Sequence, residues 1–245
     1  MRIALRVVAV ACTATFAHAA DLVAYTEEWP PYNFSESGTV HGIATDFLRA
    51  SCLDAHLDCD IQIVPWARAY AMASNQRNTG AFSMARTPLR ERSFLWVGPI
   101  LPRTTWLFSL SSSDMKLERM RDVNRKRIGV VLNSASMNDL LVAGIDPAQL
   151  HPEADSAKVL KLLDQSLVDI VVNTEVGMAW TLRSAHQDPR TIKKILKVND
   201  AEFYYYAFNL DSDPILIRRL QSSVDKLSHA GTLDDIVARY AKLPQ

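Results

Sequence analysis

The sequence predicts an α/β protein of two lobes, each an open and mainly parallel sheet with helices on its faces, joined by a double crossover that leaves a cleft between them. Three observations carry this expectation. Strand-like and helix-like stretches alternate through the first hundred residues, the pattern of parallel strands connected by helices. The alternation starts afresh near Arg127. Two extended stretches, PILPRTTWLFSLSSS and FYYYAFNL, flank that second unit, so the chain leaves one lobe and later returns to it.

In chain order, DLVAYTEEWPPYNF begins as a short strand and enters an aromatic, proline-bearing loop. GIATDFLRASCLDAHL sets Ile43, Phe47, Leu48 and Cys52 at helical spacing. CDIQIVPW alternates as a strand does, WARAYAMAS follows as a helix, and GAFSMA is a strand again. In the second unit RIGVVL reads as a buried strand and NSASMNDLLVAG as a loop and helix closed by Gly144. SAKVLKLLDQSL is a further helix and VDIVVN a further strand. DPILIRRLQSSVDKLSHAG is helical, and beyond Gly231 comes a last helix, TLDDIVARYA, in which Thr232 and Asp235 have capping-box spacing.

The opening MRIALRVVAVACTATFAHAADLV has two early arginines, an apolar run and Ala17-x-Ala19 before Asp21. That order reads as a cleaved secretory signal over residues 1–19. The run is too short and too interrupted for a retained anchor, and a lipid-modified Cys12 is the weaker alternative. Without the signal, 25 basic side chains face 27 acidic ones, a net charge of about −2, which favours neither nucleic acid nor an anionic membrane as partner. Cys52 and Cys59 are then the remaining cysteines. In an oxidising compartment such a pair reads as a structural disulfide, and two thiolates at this spacing are a poor metal set. No metal or cofactor is expected.

The signal-like start, EWPPYNF, G-x3-D-F-L, the cysteines seven apart, T-P-x-R, W-V-G-P-I, I-G-V-V and the terminal G-T-L-D-D-I-V-A-R-Y occur in this order. Together they resemble the family 3 extracellular solute-binding proteins of bacterial ABC transporters, of the polar amino acid binding type. The resemblance runs from about residue 21 to the C terminus. It implies a type II periplasmic-binding-protein fold, with lobe 1 made of residues 21–108 plus 207–245 and lobe 2 of residues 109–206. It also implies a monomeric periplasmic protein that captures a small polar, carboxylate-bearing solute, an amino acid or related compound, for a membrane permease.

Three arginines lie close together in ARTPLRERSF. Arg90 matches the T-x-x-R arginine that clasps the ligand carboxylate in the resembling binders, and a guanidinium suits a bidentate contact. Thr87 suits an N-cap and Pro88 the first helical position, so a short helical turn with anion-attracting NH groups is expected there. Arg86 fits cleft lining or surface equally, while Arg92 is expected to be solvated or paired with Glu91. Trp29 and Tyr32 occupy the loop where the family stacks an aromatic ring on its ligand, and Trp66 opens the next helix. Aromatic walls supply contact area and, for a cationic ligand, a cation–π term. Ser83 joins this set, and Arg68 reads either as a second anion contact or, more in keeping with its type, as a surface residue.

In lobe 2, Ser134 caps a helix or donates to the ligand. Thr174 departs from the pattern, standing where the resembling binders carry an aspartate for the ligand ammonium; Glu175 beside it is a candidate substitute by a one-residue shift, against which stands that adjacent residues on a strand point oppositely. This departure argues against an ordinary α-amino acid as ligand. Enzymatic patterns such as G-x-S-x-G, H-E-x-x-H and C-x-x-C do not occur, and histidines 41, 56, 151, 186 and 229 are scattered. A non-enzyme is expected. The alternatives are a ligand-binding partner of a signalling receptor and, more remotely, a dehydratase-type enzyme on the same fold.

Overall fold

A computed structural model of the chain describes residues 20–132 and 134–241. The expected signal segment with Cys12, and Asn133, lie outside the described residues. The chain opens with β1 (Leu22–Thr26), passes through a hairpin of β2 (Phe34–Glu36) and β3 (Thr39–His41), and enters α1 (Ile43–Asp54). Then come β4 (Cys59–Ile63), α2 (Trp66–Asn75), β5 (Thr79–Ala85), β6 (Leu95–Val97) and β7 (Pro102–Leu110). The second unit holds β8 (Ile128–Val131), α3 (Ala135–Val142), β9 (Leu150–Glu153), α4 (Ser156–Asp164), β10 (Ile170–Thr174) and α5 (Glu175–Ser184). A long β11 (Ile192–Phe208) leads back to α6 (Pro214–His229) and α7 (Thr232–Ala241).

The strands form one nine-stranded sheet in the order β4-β1-β5-β11-β7-β10-β8-β9, with β6 also paired to β11. Both ends of this order are parallel sets, β4-β1-β5 and β10-β8-β9. The two long strands between them are antiparallel to their neighbours. β11 pairs with β7 up to Phe203 and with β5 and β6 from Tyr204 onward. β7 pairs with β11 on one side and with β10 of the second parallel set on the other. The chain therefore passes between the two halves near residues 101 and 204.

Alternation along the strands decides which layer each residue joins. On β1, Leu22 and Ala24 pack with Phe47 and Leu48 of α1 and Leu220 and Val224 of α6, whereas Val23 and Tyr25 pack with Ala69 and Ala73 of α2. On β10, Ile170 and Val172 face Leu140 of α3, and Val171 faces Leu160 of α4 and Met178 of α5. Each half is thus covered on both faces. Withdrawing each large apolar side chain of these layers from water contributes about 1.5–3 kcal/mol. The Cys52–Cys59 disulfide ties the end of α1 to β4.

Side chains at the helix starts fix where the helices begin. Ser134, Asp155, Thr174 and Asp213 each accept a backbone NH from the first turn. At α7 the expected capping position moves by one residue: the Asp235 NH bonds to the Gly231 carbonyl, so Thr232 is already inside the helix. Among the described residues no helix is long and apolar enough to cross a membrane.

Candidate functional site

One hydrogen bond shows which surfaces of the halves meet. Tyr32, in the loop after β1, donates its hydroxyl to Thr174 Oγ1 at 2.8 Å. Thr174 ends β10 and begins α5, so the carboxyl ends of parallel strands from the two halves face each other, the usual place for a ligand in α/β proteins. Thr174 Oγ1 also accepts the Gly177 NH at 3.0 Å. A side chain at Gly177 would place its Cβ 2.7 Å from that oxygen, so glycine keeps the cap open. Tyr32 is 3% exposed, and burial pushes its phenol up to about 12, which leaves it a hydrogen-bond donor at any physiological pH. Trp29 stacks on it with ring centroids 4.3 Å apart, and Tyr204 meets both rings.

The end of β5 is bent toward this loop. Tyr205 pairs with Met84 and Tyr206 with Phe82, so Ser83 is the extra residue of a bulge, at a φ of 59°. Bulges re-aim side chains at strand ends. Ser83 Oγ donates to Asn33 Oδ1, and Asn33 Nδ2 donates to the Glu27 carbonyl at 3.0 Å. Ser83, Trp29 and Tyr32 are thereby tied into one rim. Glu27 belongs to that rim and was not legible in TEEW, where two adjacent acids look alike. Glu28 is exposed and binds the Ser35 NH, while Glu27 is half-buried and desolvation raises its carboxyl pKa. Among the described residues its carboxylate has no ion-pair partner.

The arginine-rich turn follows β5. Thr87 and Arg90 offer their carbonyls to the NH groups of Arg90 and Ser93, each at 2.9 Å. The result is two consecutive turns rather than the expected helical turn, because β6 resumes at Leu95. Arg90 is half-buried, with its guanidinium carbon 5.7 Å from the Tyr70 ring centroid. Arg86 is exposed and forms a two-point pair with Glu91 at 2.7 and 2.5 Å, between the rings of Trp96 and Tyr205. Glu91 is therefore the partner of Arg86 and not of Arg92, and the same pair holds the Glu91 carboxyl below its ordinary range. Arg68 is exposed on α2, and Trp66 packs half-buried against the layer beneath that helix.

In the second half, Ser134 Oγ accepts the Met137 NH at 3.1 Å and so caps α3. Glu175 reaches Lys194 Nζ at 2.7 Å, and its side chain is 61% exposed. It points away from its neighbour Thr174, which is buried against Tyr32. A buried polar cluster in the second half escaped sequence reading. Asp139 of α3 takes Arg103 Nη1 at 3.0 Å, the Thr105 hydroxyl at 2.8 Å and Asn199 Nδ2 at 3.3 Å. It ties α3 to both crossing strands.

Comparison with solved structures gives the same architecture at low identity. A histidine kinase sensor domain with similarity to periplasmic binding proteins superposes with a TM-score of 0.72 at 18% identity, covering 91% of this chain and 97% of that one. The arginine-, lysine-, histidine-binding protein ArtJ from Geobacillus stearothermophilus gives 0.68 at 18%, covering 91% and 96%. An arginine transport system periplasmic binding protein from Legionella pneumophila gives 0.67 at 18%, covering 91% and 100%. Sequence comparison with curated proteins finds no significant match. The model of the bacterial extracellular solute-binding proteins, family 3, matches residues 22–242, and with that span the chain belongs to this solute-binding family.

Proposed function

We propose that this protein works in the periplasm as a monomer, capturing a small polar, carboxylate-bearing solute between two lobes and passing it to the membrane permease of an ABC transporter. The lobes divide near residues 101 and 204, a few residues before the limits of 108 and 207 expected from the sequence. Arg90 carries this reading. Arg90 is half-buried in the turn that follows β5, its guanidinium carbon 5.7 Å from the Tyr70 ring centroid, and it has no carboxylate partner among the described residues. A planar donor group held this way suits bidentate recognition of a carboxylate. Trp29, Tyr32, Trp66, Ser83 and Thr87 form the walls beside it. Glu27, rather than the surface-paired Glu175, is the carboxylate available to a cationic part of the solute.

The transport proteins among the similar structures support delivery to a permease. The similarity to a histidine kinase sensor domain favours a second reading, in which the loaded protein reports to a signalling receptor. In either role the protein binds without turnover. Calorimetry with the solute picked out by a ligand screen tests the assignment: Arg90→Ala weakens binding by about 2–5 kcal/mol, as when one partner of a buried charge pair is truncated. That corresponds to roughly thirtyfold to several thousandfold in affinity. An unchanged affinity removes Arg90 from the site, and conversion of the solute to product contradicts the non-enzymatic reading.

A further inference from the structure

We propose that α5 is a latch that holds the two halves together through the protein's own side chains, so that closure does not depend on the solute to bridge the gap. This takes from the proposed function only that the halves move relative to one another. Helix α5 has two working faces. Met178 and Leu182 pack into the core of their own half. Val176, Trp180 and Arg183 recur at i, i+4 and i+7, the spacing of one helix face, and all three meet the other half.

Val176 packs against the large apolar cluster of the first half. Trp180 lies 5.1 Å from the Phe34 ring and 6.0 Å from that of Tyr240. Arg183 stacks on Trp180 at 5.5 Å and donates to the carbonyls of Arg239 at 3.1 Å and Tyr240 at 3.5 Å, where a cation is favoured by the C-terminal end of α7. The receiving surface is itself fixed: the Tyr240 hydroxyl donates to Asp46 at 2.8 Å and accepts the Gly42 NH at 2.9 Å. At the head of the helix, Thr174 accepts the buried Tyr32 hydroxyl. None of these contacts uses Arg90, Ser83 or Trp66. Tyr32 alone belongs both to the latch and to the candidate rim, which makes it the residue through which a solute would act on closure.

The test needs no solute. Protein refolded from denaturant, to strip anything carried over, is spin-labelled through Ser93→Cys and Asn138→Cys, exposed positions on the two halves. Interlabel distances are then measured by pulsed electron paramagnetic resonance. The latch predicts a short-distance majority. Tyr32→Phe lowers the closed-to-open ratio by about threefold to tenfold, the worth of one net hydrogen bond, and Trp180→Ala lowers it further. Thr174→Ser, which keeps the hydroxyl, leaves it unchanged. If Tyr32→Phe fails to fold, Thr174→Val interrupts the same bond from the other side. A long-distance majority in the parent protein, or distributions that ignore both Tyr32→Phe and Trp180→Ala, overturns the proposal while leaving solute binding through Arg90 untouched.

Discussion

At the strand-end rim the first half sets aromatic rings, Trp29 and Tyr32, beside the half-buried Glu27, whereas the second half offers there the Thr174 hydroxyl, already committed to capping α5, and makes its aromatic and charged contacts to the first half through Trp180 and Arg183 of α5. The halves also differ inside. The first is tied by the Cys52–Cys59 disulfide; the second carries a buried ion pair, Arg103–Asp139, at 6% side-chain exposure on both partners. Side-chain variety at the rim is thus concentrated in the first half, while Ser134, Thr174 and Asp139 of the second hold its helices in place.

Breaking the ion pair strikes the second half hardest. Asp139→Ala takes the carboxylate from the buried cluster it forms with Arg103, Thr105 and Asn199, and truncating one partner of a buried ion pair costs about 3–5 kcal/mol. Urea unfolding measures this, and a loss below about 1 kcal/mol would mean that the cluster relaxes to water and that the contrast in internal support is false. Removing the disulfide by Cys52→Ala with Cys59→Ala costs about 2 kcal/mol, the expectation for so short a loop. The comparison requires that loss to fall on the first half, read as faster amide exchange in α1 and β4 with α3 and β10 unaffected.

Glu27→Gln gives the smallest effect, and one of opposite sign. Because burial raises the Glu27 pKa, the folded protein holds this proton more tightly than the unfolded chain does. Its contribution to stability is present at acid pH and lost as pH rises through the folded-state pKa. The glutamine variant therefore melts slightly higher than the parent at pH 7, and the gap closes below pH 4.5, the ordinary value for the group. A variant that melts lower at pH 7 would show that the carboxylate has a stabilising partner.

Much of this architecture was legible because the strands of the two parallel sets are covered on both faces, which leaves runs such as RIGVVL and VDIVVN. Helices were equally readable where Ile43, Phe47, Leu48 and Cys52 repeat at helical spacing. The hairpin of β2 and β3 and the short β6 were not, since three-residue strands carry too few positions to show a period. The start of β11, IKKILKVN, hides because Lys193, Lys194 and Lys197 follow no two-residue alternation on a strand whose register shifts after Lys194 and again after Lys197, the latter two lying on the Trp106 ring. At the site, Tyr32 and Trp29 were visible as loop aromatics. Asp139 was invisible because an aspartate in SMNDLLV looks like any exposed helical acid, and only the fold brings Arg103 and Asn199 to it. Ser83 could be named, but its bulge depends on pairing with Tyr205 and Tyr206, residues more than a hundred positions away.

The most direct measurement of the central claim is a thermal-shift screen of the purified protein against amino acids, organic acids and polyamines, since whatever binds the folded state raises its melting temperature, the more so the further its concentration exceeds Kd. At least one carboxylate-bearing compound is predicted to raise the midpoint in the parent protein and to lose most of that effect in Arg90→Ala. Stabilisation by polyamines alone, or by no compound in the three classes, contradicts the account.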